Sequence, residues 1–399
     1  MSAVAEALPR SDRLPDALET LADRYDPEVI DLPHDGARIR LSVTDGRDWD
    51  AFATDHGVTF SPAPSRHEPD ALLSADEATW DKIAADVRGG MDAFRARRLS
   101  VRQNLHLGVG VLAATSGITE PGRLRFHSVK TRRERISVLE AGQGKPGAAP
   151  ILCLHGLGGT KASFLSTVNA LADDHRVIAA DLPGFGDSDK PIGAAYDAPY
   201  FSRAVARLLD AMEIERAHLV GNSMGGRIAI EVGLCEPDRV DRIVLLSPAL
   251  AWLRRTQWEW ILRLAQPRLG LIQPAPRRIV EPLVRRMVPG AEDGWAAAGV
   301  DEFLRAFLTP NGRAAFYAAG RNILLDPPEG DDGLWTRLAE MSPETMFVWG
   351  RHDGLVPIGF MKHVERCLPA ARHVELDCGH VPQMERPRET HAAMRRFLR

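Results

Sequence analysis

The chain of 399 residues carries 50 lysine and arginine side chains against 54 aspartate and glutamate side chains, a formal net charge of -4 at pH 7. A balance this close to neutral gives no overall attraction to a polyanion, so nucleic-acid binding is disfavoured. The length exceeds that of one usual domain and 44% of the residues are hydrophobic, which predicts two domains with their own cores. The four cysteines, at positions 153, 235, 367 and 378, lack metal-ligand spacing, and their scarcity is typical of a reducing compartment.

The chain shows no segment that would direct it into or across a membrane. The first ten residues lack a basic region, and Glu6 interrupts their short apolar run. The most apolar stretch, residues 105–118, contains His106 and three glycines and is too short to cross a bilayer as a helix. We therefore expect a soluble, cytoplasmic protein, with peripheral contact at a membrane left open.

The N-terminal part predicts a small sheet with helices. Ile39, Leu41 and Val43 alternate with polar residues, and residues 49–52 and 57–60 indicate two further short strands. Downstream, Ser74 and Glu77 have the spacing of a capping box, which predicts a helix containing Trp80. An apolar helix is expected over residues 105–114.

This arrangement resembles the sterol-carrier-protein lipid-binding domain over residues 18–117. The resemblance depends on residues 70–74, the helix with Trp80, and the run containing Leu99 and Val101. It implies a hydrophobic cavity for an acyl chain or sterol and no catalytic residues. The alternative is a compact docking or dimerisation module whose apolar side chains fill a core.

A change of composition over residues 115–122 predicts a domain boundary. Beyond it, Leu124 and Phe126, then Ile136 and Val138, alternate with polar neighbours and predict a β-hairpin that opens the second domain.

Residues 151–154 predict a buried strand that leads into His155-Gly156-Leu157-Gly158-Gly159. The glycines leave this backbone free to aim the N–H of Leu157 at an oxyanion. His155 is expected to shape the loop, and Cys153 to be a small core residue.

A second apolar strand, residues 217–220, runs directly into Gly221-Asn222-Ser223-Met224-Gly225-Gly226, a G-x-S-x-G pattern. A serine in a sharp strand-to-helix turn projects its hydroxyl out of the backbone, and glycines let strand and helix approach closely. The pattern predicts that Ser223 is a nucleophile and that the N–H of Met224 is a second oxyanion donor.

Two further groups complete this chemistry. Asp353 follows the apolar run 345–349 inside a glycine-bounded turn, and His380 follows the strand-like residues 372–376. A nucleophilic serine needs a base and a carboxylate that orients the base, and these residues appear in the order serine, aspartate, histidine. The alternatives are Asp187 or Asp189 for the acid and His352 for the base.

Four motifs in order resemble the α/β-hydrolase family over residues 122–399: residues 155–159, Asp181-Leu182-Pro183-Gly184-Phe185-Gly186-Asp187-Ser188, the Ser223 elbow, and the Asp353 and His380 segments. The resemblance implies an α/β fold, a mostly parallel sheet flanked by helices, preceded here by the small α+β sterol-carrier-like domain. It assigns Ser223 as nucleophile, His380 as base and Asp353 as its orienting carboxylate. Members with haloalkane or epoxide chemistry carry aspartate at the nucleophile position, so Ser223 argues against both reactions.

The long connection over about residues 250–338 predicts a helical cap that sets specificity. Residues 250–287 hold eight arginines and two glutamates, interleaved with Trp252, Trp258 and Trp260. We expect these tryptophans to line the core of the cap. The alternative is a surface that rests on an anionic membrane or receives lipid.

The predicted function is hydrolysis of lipophilic carboxylic esters through an acyl-enzyme. The sequence contains no phosphate loop or metal cluster, so neither cofactor nor metal is expected. One alternative is carbon–carbon bond hydrolysis of dienone acids, since the elbow also resembles those family members. They usually carry a small polar residue and a tryptophan where this chain has Leu157 and Val381. The other alternative is a non-enzymatic lipid carrier.

Overall fold

The computed structural model describes residues 14–44, 46–63, 67–85, 92–94, 96–250, 263–264, 266–287, 294–324 and 329–399. They divide into two compact units, the first up to Thr119 with residues 280–302, the second with residues 120–279 and 303–399. The division after Thr119 falls inside residues 115–122, where the composition changes. Residues 280–302, which lie inside the predicted cap, group with the first unit.

The first unit contains a five-stranded sheet in the order β3-β2-β1-β4-β5. β1 and β4 pair in parallel and the other neighbours are antiparallel. The strands with their helices are, in chain order, α1 (Asp16–Asp23), β1 (Ala37–Val43), β2 (Trp49–Thr54), β3 (Gly57–Pro62), β4 (Ala71–Ala75), α2 (Glu77–Ala85), β5 (Ser100–Arg102) and α3 (Leu105–Ala114). Buried residues alternate with half-buried ones along β1, as the sequence pattern predicts.

The prediction that Ser74 is the N-cap residue of α2 was wrong. Ser74 lies inside β4, where its backbone pairs with Ser42 and Ser100. Asp76 caps the helix instead, because its Oδ1 accepts a hydrogen bond from the Thr79 N–H at 2.7 Å. The sheet extends two residues further than the capping-box spacing suggested.

Residues 280–302 complete the first unit through buried carboxylates. Asp301 accepts hydrogen bonds from Arg102 Nε at 2.6 Å and from the Gln103 N–H at 3.0 Å. Glu302 accepts the Leu105 N–H at 2.6 Å, at the start of α3. A carboxylate at a helix N-terminus satisfies a donor that has no partner within the helix. This unit is therefore built from two segments that lie far apart in the sequence.

The second unit contains an eight-stranded sheet in the order β13-β12-β11-β10-β8-β9-β7-β6, in which β7 is antiparallel to both its neighbours and the remaining pairs are parallel. β6 and β7 are the predicted hairpin. The elements up to the last strand before the long connection are β6 (Arg125–Lys130), β7 (Arg135–Ala141), β8 (Ile151–Leu154), α4 (Leu165–Leu171), β9 (Val177–Ala180), α5 (Ala198–Ala211), β10 (Ala217–Asn222), α6 (Met224–Cys235) and β11 (Val240–Leu246). β8 and β9 are buried along their whole length, as expected for central parallel strands covered on both faces.

The long connection is helical where it is described. Its helices are α7 (Pro267–Ile272), α8 (Arg277–Met287), α9 (Gly294–Phe307), α10 (Pro310–Leu324) and α11 (Leu334–Leu338). Trp252, Trp258 and Trp260 lie outside the described residues. The chain then continues through β12 (Glu344–Gly350), α12 (Met361–Cys367), β13 (Arg372–Leu376), α13 (Pro382–Glu385) and α14 (Pro387–Phe397). Of the helices in the described ranges, none has the length and apolar composition needed to cross a bilayer.

Candidate active site

Ser223 occupies a strained turn between β10 and α6. Its backbone has φ +53° and ψ −115°, in the positive-φ region that residues other than glycine seldom adopt. A Cβ atom at Gly221 would collide with the Gly225 carbonyl, and one at Gly225 would collide with the Leu154 carbonyl. The glycines are therefore required by the close crossing of strand and helix. The strain is held in place by hydrogen bonds, since the Ser223 N–H donates to the Leu246 carbonyl at 3.0 Å.

His380 and Asp353 form a direct pair on the loops after β13 and β12. His380 Nδ1 lies 2.8 Å from Asp353 Oδ2. The other oxygen of Asp353 accepts the N–H groups of Leu355 and Val356, both at 2.8 Å. Burial raises the pKa of the Asp353 carboxyl, but the hydrogen bond and charge of His380, with the two backbone donors, lower it further. The net result is a pKa below the ordinary range, so Asp353 is an ionised carboxylate at neutral pH.

Asn222 joins the elbow to the His380 loop. Its Nδ2 donates to the carbonyl of Leu246 at 2.9 Å and to the carbonyl of His380 at 3.1 Å. In the described part of the chain, no hydrogen bond joins the Ser223 hydroxyl to the His380 ring. Catalytic hydrogen bonds are often long without substrate and shorten when it binds. The arrangement places serine, histidine and aspartate at one edge of the sheet, with Asn222 as the bridge.

The glycine-rich loop after β8 lies directly against the elbow. A Cβ atom at Gly156 would lie 3.2 Å from the Cβ of Ser223. Met224 opens α6, and the first N–H groups of a helix have no partner within the helix. Leu157 and Met224 thus belong to the two segments that flank the serine, where donors for an oxyanion are needed.

His155 is fully buried and both of its ring nitrogens are occupied. Nε2 accepts the Leu182 N–H at 2.9 Å, so the proton must be on Nδ1, which lies 2.8 Å from the Gly156 carbonyl. Burial lowers the pKa of His155 more than Asp181 raises it, which keeps the ring neutral. This histidine fixes the loop, in agreement with the role predicted for it.

Lys161 is a site neighbour that the sequence analysis missed. It is 2% exposed, and its Nζ lies 2.6 Å from Asp181 Oδ2 and 3.2 Å from Asp187 Oδ2. Asp187 also accepts a hydrogen bond from Arg305 at 2.5 Å. Burial raises the pKa of Asp181, but the charge of Lys161 lowers it further. These partners lie 20, 26 and 118 positions apart, so no local sequence pattern indicates the network.

The alternative acid and base residues make contacts elsewhere. Asp187 is held by Lys161 and Arg305, as described above. Asp189 accepts the Arg135 N–H at 2.8 Å. His352 pairs with Asp377 at 2.7 Å on the protein surface. In the described part of the chain, no hydrogen bond joins any of the three residues to His380 or Ser223.

Aromatic side chains of the cap lie against the oxyanion loop. A Cβ atom at Gly158 would lie 2.9 Å from Phe303 and 3.2 Å from Phe316. Phe303 stacks on Phe307 with ring centroids 4.9 Å apart and meets Phe316 edge-on at 5.3 Å. These rings and the loop are half-buried. They form an apolar wall beside the segment that carries Leu157.

The fold and this site define the class of protein. Residues 149–387 match the family model described as the alpha/beta hydrolase fold, and the chain belongs to this family.

The chain is also similar to individual members with different reactions. It is 30% identical to the dihydrolipoyllysine-residue acetyltransferase component of the acetoin cleaving system of Cupriavidus necator, over 63% of this chain and 64% of that protein, so it spans slightly less than two thirds of that relative. It is 30% identical to a 2-hydroxy-6-oxononadienedioate/2-hydroxy-6-oxononatrienedioate hydrolase of Cupriavidus pinatubonensis, over 68% of this chain and 94% of the relative. Among solved structures it resembles a membrane phospholipase A described as a bacterial virulence factor, with a TM-score of 0.56 and 29% identity over 69% of this chain and 86% of the other.

Proposed function

We propose that the protein is a serine hydrolase that cleaves carboxylic esters of lipophilic acids. The observation that carries the proposal is the strained Ser223 at the sheet edge where the buried Asp353 carboxylate holds His380. Nucleophile, base and orienting carboxylate are the set that acyl transfer to serine requires. The similarity to a membrane phospholipase A is consistent with a lipid ester.

The mechanism follows from these roles. His380 takes the proton of Ser223 as the oxygen attacks the ester carbonyl, and the ionised Asp353 stabilises the imidazolium. The N–H groups of Leu157 and Met224 bind the oxyanion of the tetrahedral intermediate. His380 then gives its proton to the departing alcohol. Water, deprotonated by His380, hydrolyses the acyl-enzyme and returns Ser223 to its starting state.

The apolar wall indicates the acyl side of the substrate. Phe303 and Phe316 lie against the loop that carries the proposed oxyanion donor, and Phe307 stacks on Phe303. An apolar acyl group bound at the oxyanion site would therefore contact aromatic rings. Burial of apolar surface contributes about 0.8 kcal/mol per CH2 group. The resemblance of residues 18–117 to a sterol-carrier domain supports a lipophilic substrate as well, with the first unit as lipid-binding module.

Hydrolysis of chromogenic esters with short to long acyl chains tests the proposal. Ser223→Ala serves as the blank, and its turnover should fall by about 10⁶-fold, as when other triads lose the nucleophile. Labelling of Ser223 by a fluorophosphonate should accompany activity in the wild type. A Ser223→Ala protein that keeps most of its activity would refute the scheme.

Carbon–carbon bond hydrolysis of a dienone acid is the second candidate. The 30% identity to a dienedioate hydrolase, over 94% of that relative, favours it. The apolar Leu157 and Val381, at positions where such enzymes usually carry a polar residue and a tryptophan, disfavour it. The cleavage of a dienone substrate can be followed by the loss of its colour. A kcat/KM for this substrate that exceeds the kcat/KM for every ester would decide for carbon–carbon bond hydrolysis.

We also propose a membrane contact for residues 263–279. They contain four arginines and no acidic residue. Leu264, Leu269, Ile272 and Ile279 are 63%, 45%, 76% and 56% exposed. Exposed aliphatic side chains among arginines favour the surface of an anionic bilayer, where the apolar groups enter the headgroup region.

Sedimentation with phosphatidylglycerol vesicles, compared with phosphatidylcholine vesicles, measures this contact. Leu269→Ser combined with Ile272→Ser should weaken binding to the anionic vesicles. Ile192→Ser is the matched control, because Ile192 is 67% exposed elsewhere on the second unit. Equal sedimentation of all three proteins would remove the membrane from the proposal.

A further inference from the structure

We propose that Glu385 and Asn222 are positioning residues that together hold the main chain of His380 for proton transfer with Ser223. The inference rests on the proposed serine-hydrolase function. It concerns how His380 is fixed, since the ring must meet both a carboxylate on one loop and a hydroxyl on another.

Glu385 binds the backbone on both sides of His380. Its Oε2 accepts the Gly379 N–H at 2.6 Å and its Oε1 accepts the Val381 N–H at 3.0 Å. Hydrogen bonds to a carboxylate are about twice as strong as neutral ones. One side chain on α13 thus holds the N–H groups of both residues that flank His380 in the chain.

Asn222 binds the carbonyl of His380 itself. Its Nδ2 donates to the His380 carbonyl at 3.1 Å, and Asn222 directly precedes Ser223 in the chain. The same nitrogen donates to the Leu246 carbonyl at 2.9 Å, so its orientation is set by two acceptors. The main chain of His380 is therefore linked to the elbow itself.

The outer part of the loop is anchored as well. Arg386 Nε donates to the Asp377 carbonyl at 2.9 Å, and the His352 N–H donates to the Cys378 carbonyl at 2.9 Å. These bonds support the start of the loop, whereas Glu385 and Asn222 act at His380. A displacement of about 1 Å at a reacting group costs about 10²-fold in rate. Loss of either contact should therefore lower kcat and leave KM nearly unchanged.

Chemically matched substitutions test the two residues. In Glu385→Gln the side chain keeps its shape, but it has one acceptor for two N–H groups and places an NH₂ group against the other. In Asn222→Asp the donor that faces two carbonyls becomes an acceptor. Glu389→Gln is the control, because Glu389 is an exposed residue of α14 and the change removes the same charge.

For each variant we would measure kcat per active site, with the sites counted by fluorophosphonate titration. KM and the melting temperature are measured on the same proteins. We expect kcat to fall about 10²-fold in Glu385→Gln and in Asn222→Asp, with KM within about twofold and Glu389→Gln unchanged. Because both residues hold one peptide segment, the double variant should lose less than the product of the two single losses. An unchanged kcat per titrated site, with only a lower melting temperature, would show that the contacts are merely structural.

A second readout separates this inference from the proposed function. If the wild type neither hydrolyses esters nor reacts with the fluorophosphonate, the proposed function fails. The NMR signal of the His380 Nδ1–H proton, which bonds to Asp353, still reports the position of the ring. That signal should shift or broaden in Glu385→Gln and stay unchanged in Glu389→Gln. An identical signal in both variants would overturn the positioning role.

Discussion

The loops that carry His155 and His380 lie on either side of Ser223, and their histidines are used in opposite ways. His155 is fully buried, and backbone groups occupy both of its ring nitrogens. The side chain of His380 is 19% exposed, and one nitrogen is held by an ionised carboxylate. A ring with both nitrogens bound to the backbone has none left for a substrate. The difference supports a structural role for the His155 loop and agrees with the proposed proton transfer by His380.

After the loss of Ser223 itself, the largest expected effect comes from the partner of His380. Asp353→Asn should lower kcat by about 10⁴-fold, because the amide favours the wrong tautomer of the imidazole. KM should change little, since the residue makes no contact with the substrate in the proposed mechanism. Ester hydrolysis by the purified variant measures both constants.

Asp377→Asn is the matched control for this substitution. Asp377 also pairs with a histidine, His352, at 2.7 Å, but on the surface. Its activity should stay within about twofold of the wild type, as exposed pairs contribute little. If both variants lost activity equally, the roles given to the two histidines would not stand.

A substitution of His155 tests the role of the loop that carries it. His155→Gln leaves a buried backbone group of Leu182 or Gly156 without its partner, which costs about 1–3 kcal/mol of stability. We expect a roughly tenfold lower kcat, because a shift of well under 1 Å at an oxyanion donor costs less than the 10²-fold of a full displacement. Urea unfolding and ester hydrolysis measure the two effects, with the exposed His352→Gln as control. A fall in kcat as large as that of Ser223→Ala, with an unchanged free energy of unfolding, would mean that His155 transfers protons.

These loops also show how far the sequence predicts the site. The elbow, the glycine-rich loop and the segments of Asp353 and His380 could be located from local patterns, because each motif follows its own strand. The Lys161 network and the contacts of Glu385 could not be found in this way. The partners of Lys161 are joined only when the sheet forms, and a buried lysine has no local signature. The contacts of Glu385 are local, with Gly379 six positions and Val381 four positions away, but no sequence pattern indicates that this side chain turns back to the loop.

The two-segment construction of the first unit was equally hidden. Arg102 and Asp301 are 199 positions apart, and Leu105 and Glu302 are 197 positions apart. The sequence predicts a helical connection over about residues 250–338, but it does not indicate that residues 280–302 belong to the first unit. Similarly, the Ser74 spacing was misleading because strand pairing with Ser42 and Ser100 outweighs a local capping preference.

The neutral state of His155 predicts how stability depends on pH. Its pKa is lowered in the folded state, and burial lowers that of His218 to about 4, more than Asp241 raises it. The unfolded chain therefore binds more protons below about pH 6.5, and stability falls as the pH decreases from there towards 4. The depressed pKa of Asp353 acts in a lower window, where its contribution is lost as the pH falls below about 3.9.

Urea unfolding between pH 7 and pH 4 measures this dependence. The slope should reach about 1.4 kcal/mol per pH unit for each buried neutral histidine. In His218→Asn the loss of unfolding free energy from pH 7 to pH 4 should be smaller by the contribution of one histidine. In His352→Asn this loss should equal that of the wild type. A wild-type stability that is constant from pH 6.5 to pH 4.5 would contradict the neutral state of both buried histidines.

The smallest effect should be on specificity. Phe303 lies against Gly158 in the loop that carries His155. Its removal should therefore change substrate binding and leave proton transfer by His380 intact. Phe303→Ala should raise KM for short acyl chains and favour chains a few carbons longer, because the space left by the ring can be filled at about 0.8 kcal/mol per CH2 group. Phe303→Leu, which keeps an apolar side chain, should shift the optimum less. A fall in kcat that is equal for all chain lengths would instead place Phe303 with the His380 loop, and the division between the two loops would then need to be redrawn.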